Sequence, residues 1–367
     1  MAPQGRTSSP LDQQEISTLV QRAIKIPKSA TAVNSAFQRW KYWDDHPLMP
    51  PTRSYILEDN GRIVAHGCRW PIQILTMERE YVGFQLIDWA ADSQYPGAGL
   101  QVLRDTCVGS GILFFIGGTS LTKRVLPVFG QHLNRSKNKS LTYNVTGTSD
   151  FVSRPLQILG PSFQEMPWGW RTAPRYARNI YRRALPINRM REGYSFTQVT
   201  AKDIPPALFP KPSPGFAVSA RTTELFEHVE GCPVIKRPMF FLVERNSRAI
   251  GYFFLAFAGK HVRVADYGPR GMSESDAEVV GTAIQIAARQ NYPEAWRVAI
   301  LTTELIAKSG FLRSGFRRGT MEENRIVLSD QSLQSVRCYG LTFMDLDTLC
   351  LDIYSGRSQG LYKRQGG

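Results

Sequence analysis

Gln94-Tyr95-Pro96-Gly97-Ala98-Gly99 is the stretch on which the reading of this chain turns, and it is reached from Leu86-Ile87-Asp88-Trp89-Ala90-Ala91-Asp92. The earlier run is apolar enough to predict a strand over 83–91, and the residues after Gly99 predict a helix over about 99–108. A tight bend between a strand and a helix is where main-chain N–H groups converge on an anion. Glycines at 97 and 99 remove the Cβ atoms that would keep a phosphate at a distance, and the helix adds the positive end of its dipole. Pro96 has no N–H, so the candidate donors are the amides of Gln94, Tyr95, Gly97, Ala98, Gly99 and Leu100. The pattern is neither GxxxxGK[ST] nor GxGxxG.

Outward from the bend, the expected order is strand-rich. A helix over about 12–23 precedes a hairpin, 54–58 and 62–68, closed by Asn60-Gly61, a pair that readily takes a type I′ turn. Strands over 72–76 and 83–91, the helix, a strand over 112–116 and a helix over about 121–129 follow. The second half repeats this order. Strands over 239–244 and 249–257 flank Asn246-Ser247, then come a strand over 261–267, a helix over 275–290, a strand over 297–302 and a helix over 305–314. Asn246 follows Asn60 by 186 positions and Gly315 follows Gly130 by 185, an offset that suggests an internal duplication. The expected fold class is α/β, or more closely an α+β mixed sheet occurring twice. The expected parts are a polar lead-in (1–30), an N-terminal domain (31–165), an Arg-rich linker helix (166–195), a C-terminal domain (196–350) and a tail (351–367).

Composition narrows the function. The 367 residues are 42% hydrophobic and 21% charged, a globular balance. The charge of +14 favours acidic partners, and Arg171, Arg175, Arg178 and Arg182 would line one side of a helix. That stretch is either a solvated face or an anion-binding surface. No zinc finger, helix-turn-helix or aromatic RNA-binding pattern accompanies it, so nucleic acid is not favoured. Five scattered cysteines and five dispersed histidines give no disulfide framework and no metal-ligand spacing, so no metal is expected. The longest uncharged run, 106–122, falls short of a membrane span, and no signal-peptide run opens the chain, so the expected location is cytoplasmic.

The bend and its flanks resemble the GNAT N-acyltransferase superfamily, whose pyrophosphate loop reads Gln/Arg-x-x-Gly-x-Gly/Ala between a fourth strand and a third helix. Gln94–Gly99 matches each fixed position. The resemblance covers about 35–135 and 235–330. It implies two GNAT-like acyl-CoA N-acyltransferase domains in tandem, with acetyl-CoA or another acyl-CoA as co-substrate. It also implies that the main chain at Trp89 and Ala91 pairs with the pantetheine arm as an added strand. A later family element, Asn-x-x-Ala-x-x-x-Tyr-x-x-x-Gly-Phe, falls on Thr119, Thr122, Leu126, Gly130 and Gln131, where only the glycine matches. In the second half it falls on Glu304, Ala307, Phe311, Gly315 and Phe316, where three positions match. Gly268–Ser273 lacks the loop spacing, so one acyl-CoA site is expected, in the first half, with a degenerate second half shaping the acceptor cleft.

Acyl transfer to an amine needs a held thioester, a donor for the oxyanion and a route for the amine's proton. By the resemblance, a carboxylate on or near the pantetheine strand takes that proton, and Asp88 is the best-placed one. The other reading of Asp88 is a polar residue on a solvent-facing strand position. Asp92 reads as a turn or capping residue. Thr119 and Ser120 either contact the CoA or cap the helix that follows. Leu126 and Phe311 stand where the family's tyrosine acid belongs, which leaves the leaving thiolate without its usual proton donor. Trp40, Tyr42 and Trp43, around Arg39 and Lys41, either pack as core or stack on an acceptor or a nucleobase. The function expected is N-acyl transfer, most simply acetyl transfer, to an amine on a small molecule, sugar or protein. The alternatives are a Fem-type tRNA-dependent aminoacyltransferase and a non-catalytic CoA-binding or scaffold protein of the same fold.

Overall fold

The computed structural model describes residues 3–50, 53–107, 112–115, 142–146, 149–153, 190–258, 261–295, 297–302, 305–318, 324–328, 336, 338–340 and 342–345. The expected helix over 121–129, residues Thr119, Ser120, Leu126, Gly130 and Glu304, most of the Arg-rich stretch and the tail lie outside them.

The chain opens with β1 (Gln4–Thr7), α1 (Gln13–Ile24) and α2 (Ser35–Tyr42). The polar lead-in thus contains a strand and a helix. β1 hydrogen-bonds along β2 (Ser54–Asp59), and α1 buries Ile16, Leu19 and Val20 at helical spacing. Four exposed polar residues can serve as a strand because a sheet edge asks only for their main-chain groups. α2 starts where the Asn34 side chain accepts the N–H of Phe37 at 3.0 Å.

β2 turns at Asn60 and Gly61, both at positive φ, into β3 (Arg62–Leu75), one continuous strand where two were expected. β4 (Glu80–Ala91), α3 (Ala98–Cys107) and β5 (Ile112–Phe115) follow, then β6 (Thr142–Thr146) and β7 (Ser149–Ser153). The second half contains β8 (Tyr194–Val199), β9 (Phe216–Ser219), α4 (Thr223–Glu230), β10 (Lys236–Arg245), β11 (Arg248–Ala258) and β12 (His261–Gly268). It continues with α5 (Glu274–Asn291), β13 (Arg297–Thr302), α6 (Leu305–Arg313), β14 (Arg317–Arg318), β15 (Asn324–Leu328) and β16 (Cys338–Gly340).

Two mixed sheets result. The first runs β1-β2-β3-β4-β5-β15-β6, with β9 also pairing β3, and β16 pairing β9. The second runs β14-β7-β13-β12-β11-β10-β8. Their hairpins superimpose in register. Leu57↔Ala65 and Glu58↔Ile63 flank a bulge in the first, and Val243↔Gly251 and Glu244↔Ala249 flank the same bulge 186 residues later. Each half also lends a strand to the other. β7 lies between β13 and β14, and β15 lies between β5 and β6.

That exchange ties the halves together, and so does the core. One apolar cluster joins Trp40, Trp70 and Ile72 of the first half to Phe226, Phe240, Tyr252 and Phe254 of the second. The opposite face of the second sheet, through Phe253, Leu255 and Val264, packs on Ala283, Ile284 and Ala287 of α5. The alternation of 252/254 with 253/255 follows from the two-residue period of a strand buried on both faces. Each fully buried phenylalanine contributes roughly 1.5–3 kcal/mol. Trp40 belongs to this core, stacked on the His228 ring with centroids 4.8 Å apart, and is not offered to a ligand.

Candidate active site

Along one edge, β4 pairs with the described residues of β5 at Gly83, Phe84 and Gln85. From Leu86 to Ala91 no described strand pairs that edge of β4. On its other edge β4 carries a bulge. Cys68 faces Ile87 and His66 faces Ala90, so Asp88 and Trp89 together oppose Gly67. Asp88 takes a left-handed φ of +49° there.

At the end of β4 the bend forms as expected, with α3 beginning at Ala98. Asp92 organises it. The Asp92 N–H donates to the Val64 carbonyl at 2.8 Å, and its carboxylate accepts the Gln94 N–H at 3.1 Å. The same carboxylate also takes the guanidinium groups of Arg22 and Arg62 at 2.7 and 2.6 Å. Tyr95 N–H donates to the Asp92 carbonyl and Ala98 N–H to the Tyr95 carbonyl, each at 3.1 Å.

Three of the six expected donors, at Gln94, Tyr95 and Ala98, are thus consumed by the bend itself. A tight turn is made of such bonds. The N–H groups of Gly97, Gly99 and Leu100 meet no acceptor among the described residues, and they stand at the first turn of α3. Gly97 lies exposed at φ +88°, and a Cβ there would meet nothing within 4 Å, so its glycine answers to backbone conformation. Gly99 answers to space, since a Cβ there would sit 3.3 Å from that of Ala91. The Trp89 indole N–H donates to the Gly99 carbonyl at 2.9 Å and fastens the strand to the helix.

Asp88 differs from both readings made of it. It is neither on a solvent-facing position nor an accessible base. Its side chain is fully buried, accepts the Tyr42 hydroxyl at 2.7 Å and is ion-paired with Lys41. Burial alone would lift the Asp88 carboxyl, but the Lys41 ammonium and Tyr42 hydroxyl outweigh it and hold it below the usual carboxylate range. Sequence reasoning missed Lys41, Tyr42 and His66 as partners of this residue. The available signal was a lysine on the buried side of an aromatic helix, since an ammonium is rarely buried without a carboxylate.

The corresponding place in the second half is closed. Asp266 accepts Nε and Nη2 of an Arg221 side chain whose Nη1 reaches Asp345, while Arg270 and Thr342 donate to Asp266 as well. These groups are buried, and the Tyr267 hydroxyl donates to Thr302 across the gap between β12 and β13. A cavity of about 590 Å³, lined by His46, Gln73, Thr222 and His228 among others, opens between the halves. It lies toward the far end of β3, since Gln73 pairs with Val82, and is remote from the bend. Among the described residues no group of three His, Cys, Asp or Glu side chains could hold a metal ion, and no helix is long and apolar enough to cross a membrane.

No family model matches the chain, and no curated protein matches it in sequence. Solved structures do match in fold. Saccharomyces cerevisiae N-myristoyltransferase with bound myristoyl-CoA aligns with a TM-score of 0.57 at 12% identity, over 94% of this chain and 83% of that one. A putative acetyltransferase from Pyrococcus horikoshii aligns at 0.51 and 11%, over 93% of both. A GCN5-related N-acetyltransferase from Kribbella flavida aligns at 0.51 and 12%, over 90% and 72%. The chain has the GNAT fold, built on two mixed sheets.

Proposed function

We propose that this protein is an acyl-CoA-dependent N-acyltransferase, with one acyl-CoA site on the first sheet and a second sheet that descends from a duplication and has lost its own. The observation that carries the reading is the alignment of two features. Among the described residues, the N–H groups of Gly97, Gly99 and Leu100 at the start of a helix meet no acceptor, and the edge of β4 over 86–91 meets no strand. A pyrophosphate on the first and an extended pantetheine along the second match these needs with one ligand. Trp89 and Ala91 would pair with the pantetheine. The bend residues Gln94, Tyr95 and Ala98 would shape the cradle without donating to it. Thr119 and Ser120 remain proposed CoA contacts.

In the reaction an acceptor amine attacks the thioester carbonyl carbon. The C–S bond breaks as the C–N bond forms, CoA leaves as its thiolate, and the amine's extra proton goes to water or a base at the cleft. A thiol pKa near ~8.5 makes the thiolate a tolerable leaving group at neutral pH without a tyrosine acid. The acceptor is an amine on a small molecule, a sugar or a protein, the acyl donor is acetyl-CoA or a longer homologue, and the setting is the cytoplasm. A tRNA-dependent reaction has less use for a tight phosphate cradle.

Thermal unfolding with and without CoA tests the proposal. Ligand at a hundred times Kd raises stability by about 2.7 kcal/mol. A rise with CoA and none with tRNA is expected, and the reverse would replace this function with the tRNA-dependent one.

A further inference from the structure

The cavity of about 590 Å³ between the halves has a lining that acyl transfer leaves unused, and its size suits a small molecule. Asp45 and His46 come from the segment between α2 and β2, and Gln73 comes from β3. Thr222, Glu224 and His228 come from α4 and its cap.

The charged residues of this lining are both acidic, in a chain of net charge +14. Neither Asp45 nor Glu224 is ion-paired with a described residue. The N–H of Glu224 itself and the Thr222 hydroxyl hold the Glu224 carboxyl below the usual carboxylate range. The buried Arg53 does not offset them directly, because its Nε and Nη2 donate to the main-chain carbonyls of Lys41, Trp40 and Asp44.

Two carboxylates alone would be an acidic surface. The second observation is a donor beside them. His46 is 8% exposed and lines the cavity, and its Nδ1 accepts the Leu48 N–H at 3.1 Å. A main-chain N–H can only donate, so the proton of the neutral ring sits on Nε2, which meets no acceptor among the described residues. Burial first, then the neighbouring His228 and Arg53, keeps that ring neutral. The His228 ring packs 4.5 Å from it and stacks in turn on Trp40, which fixes the imidazole in place.

The donor and acceptor inventory selects the ligand. Gln73 spends Nε2 on Glu80 at 2.6 Å and keeps its carbonyl oxygen as an acceptor. An anion would meet two carboxylates, and an apolar molecule would desolvate both of them and strand the His46 Nε2–H. The histidines and carboxylates do not converge as metal ligands. An ammonium answers the carboxylates, and hydroxyls accept from His46 and donate to Gln73. Pro47 and Leu48 leave apolar surface for the C–H face of a ring.

We propose that this cavity binds a small hydroxylated amine of the amino-sugar class, its ammonium held by Asp45 and Glu224 and a hydroxyl by His46 Nε2. Gln73 pairs with Val82, nine residues along β4 from Ala91, or about 30 Å of strand. The site is therefore separate from the bend, and it stands or falls without the acyl-CoA reading. Residues of both halves hold the ligand, so it also bridges them.

Calorimetry on the full chain tests this with three probes of similar size. Glucosamine has both the ammonium and the hydroxyls, glucose lacks the ammonium, and cyclohexylamine lacks the hydroxyls. Glucosamine is expected to bind at least about tenfold more tightly than either of the others. Asp45→Asn/Glu224→Gln is expected to reduce glucosamine to the affinity of glucose, and His46→Phe to reduce it to that of cyclohexylamine. The double variant changes a half-buried and an exposed side chain, so it decides the matter even if His46→Phe does not fold. Absence of glucosamine binding overturns the proposal. So does equal affinity for glucosamine and either other probe, or an unchanged glucosamine affinity in the double variant.

Discussion

Asp88 and Asp266 stand at matching places on β4 and β12, each two residues before the partner of β3 or β11 (Ala90 opposite His66, Gly268 opposite Tyr252), and each accepts a tyrosine hydroxyl at 2.7 Å. The two carboxylates are balanced differently. Asp88 faces one ammonium, whereas Asp266 lies among Arg221, Arg270 and the neighbouring Asp345. The same strand position thus adjoins an edge with no described partner in the first sheet and a network of buried charges in the second.

The network of buried charges predicts a stability effect without a binding effect. Replacing Asp266 with alanine leaves two buried guanidinium groups facing a single carboxylate, and breaking such a buried arrangement costs about 3–5 kcal/mol. Denaturant titration of Asp266→Ala should show that loss, and the CoA affinity of the folded fraction should be unchanged. A large loss of CoA affinity would place the second sheet in the ligand site.

The bend predicts the opposite pairing. Gly97→Asp puts a negative charge beside the amides of Gly97, Gly99 and Leu100, where charge-assisted bonds are worth about 1.5–3 kcal/mol each. CoA affinity should fall at least tenfold, beyond whatever Gly97→Ala causes through the left-handed φ alone. Calorimetry on the two variants separates charge from backbone strain, and equal affinities would exclude the bend as a phosphate site.

How much of this could be read from sequence depends on how local each feature is. Asn60-Gly61 and the glycines at 97 and 99 state their conformations within two to six residues, and those elements formed where expected. The exchange of β7 and β15 is invisible by comparison, since strand order depends on partners more than a hundred residues away. Asp88 illustrates the same limit inside the site. Its neighbours in sequence suggested an exposed strand position, but its fate was set by Lys41 and Tyr42 on a helix 46 residues earlier. The bend's donors were overcounted for a related reason, because a turn consumes amides in forming itself.

Three histidines, His46 and His66 buried and His228 half-buried, predict the acid limb of stability. Burial depresses His66 and His228 to about 4 and His46 to about 2, against an unfolded value near ~6.5. The unfolded chain therefore binds more protons than the folded one below pH 6.5, and stability must rise with pH through that window. It is fully present above about 6.5, falls as pH drops toward 4, and for His66 alone the loss reaches about 3 kcal/mol. Asp88 and Asp266, both held below the usual carboxylate range, contribute a further loss only at lower pH. Urea midpoints between pH 4 and 7.5 should show this slope, and His66→Asn should flatten it. A midpoint independent of pH over that range would contradict the burial of these rings.

The stoichiometry of CoA binding follows from what fills each gap between parallel strands. In the first sheet the described residues of β5 pair β4 as far as Gln85, and no described residue lies along that edge beyond it. In the second, β12 loses β13 after Val264, but the Tyr267 hydroxyl reaches Thr302 across the gap, and the buried Arg221 cluster lies behind it. A pantetheine entering there would have to displace a satisfied hydrogen bond and desolvated charges without replacing either interaction. The bend beside it offers less as well, because the Ser273 hydroxyl already accepts the Asp276 N–H at the start of α5. One CoA per chain is the expected calorimetric result, and Tyr267→Phe should not raise it. Two equivalents would mean that the second gap opens in solution and that both sheets retain a functional site.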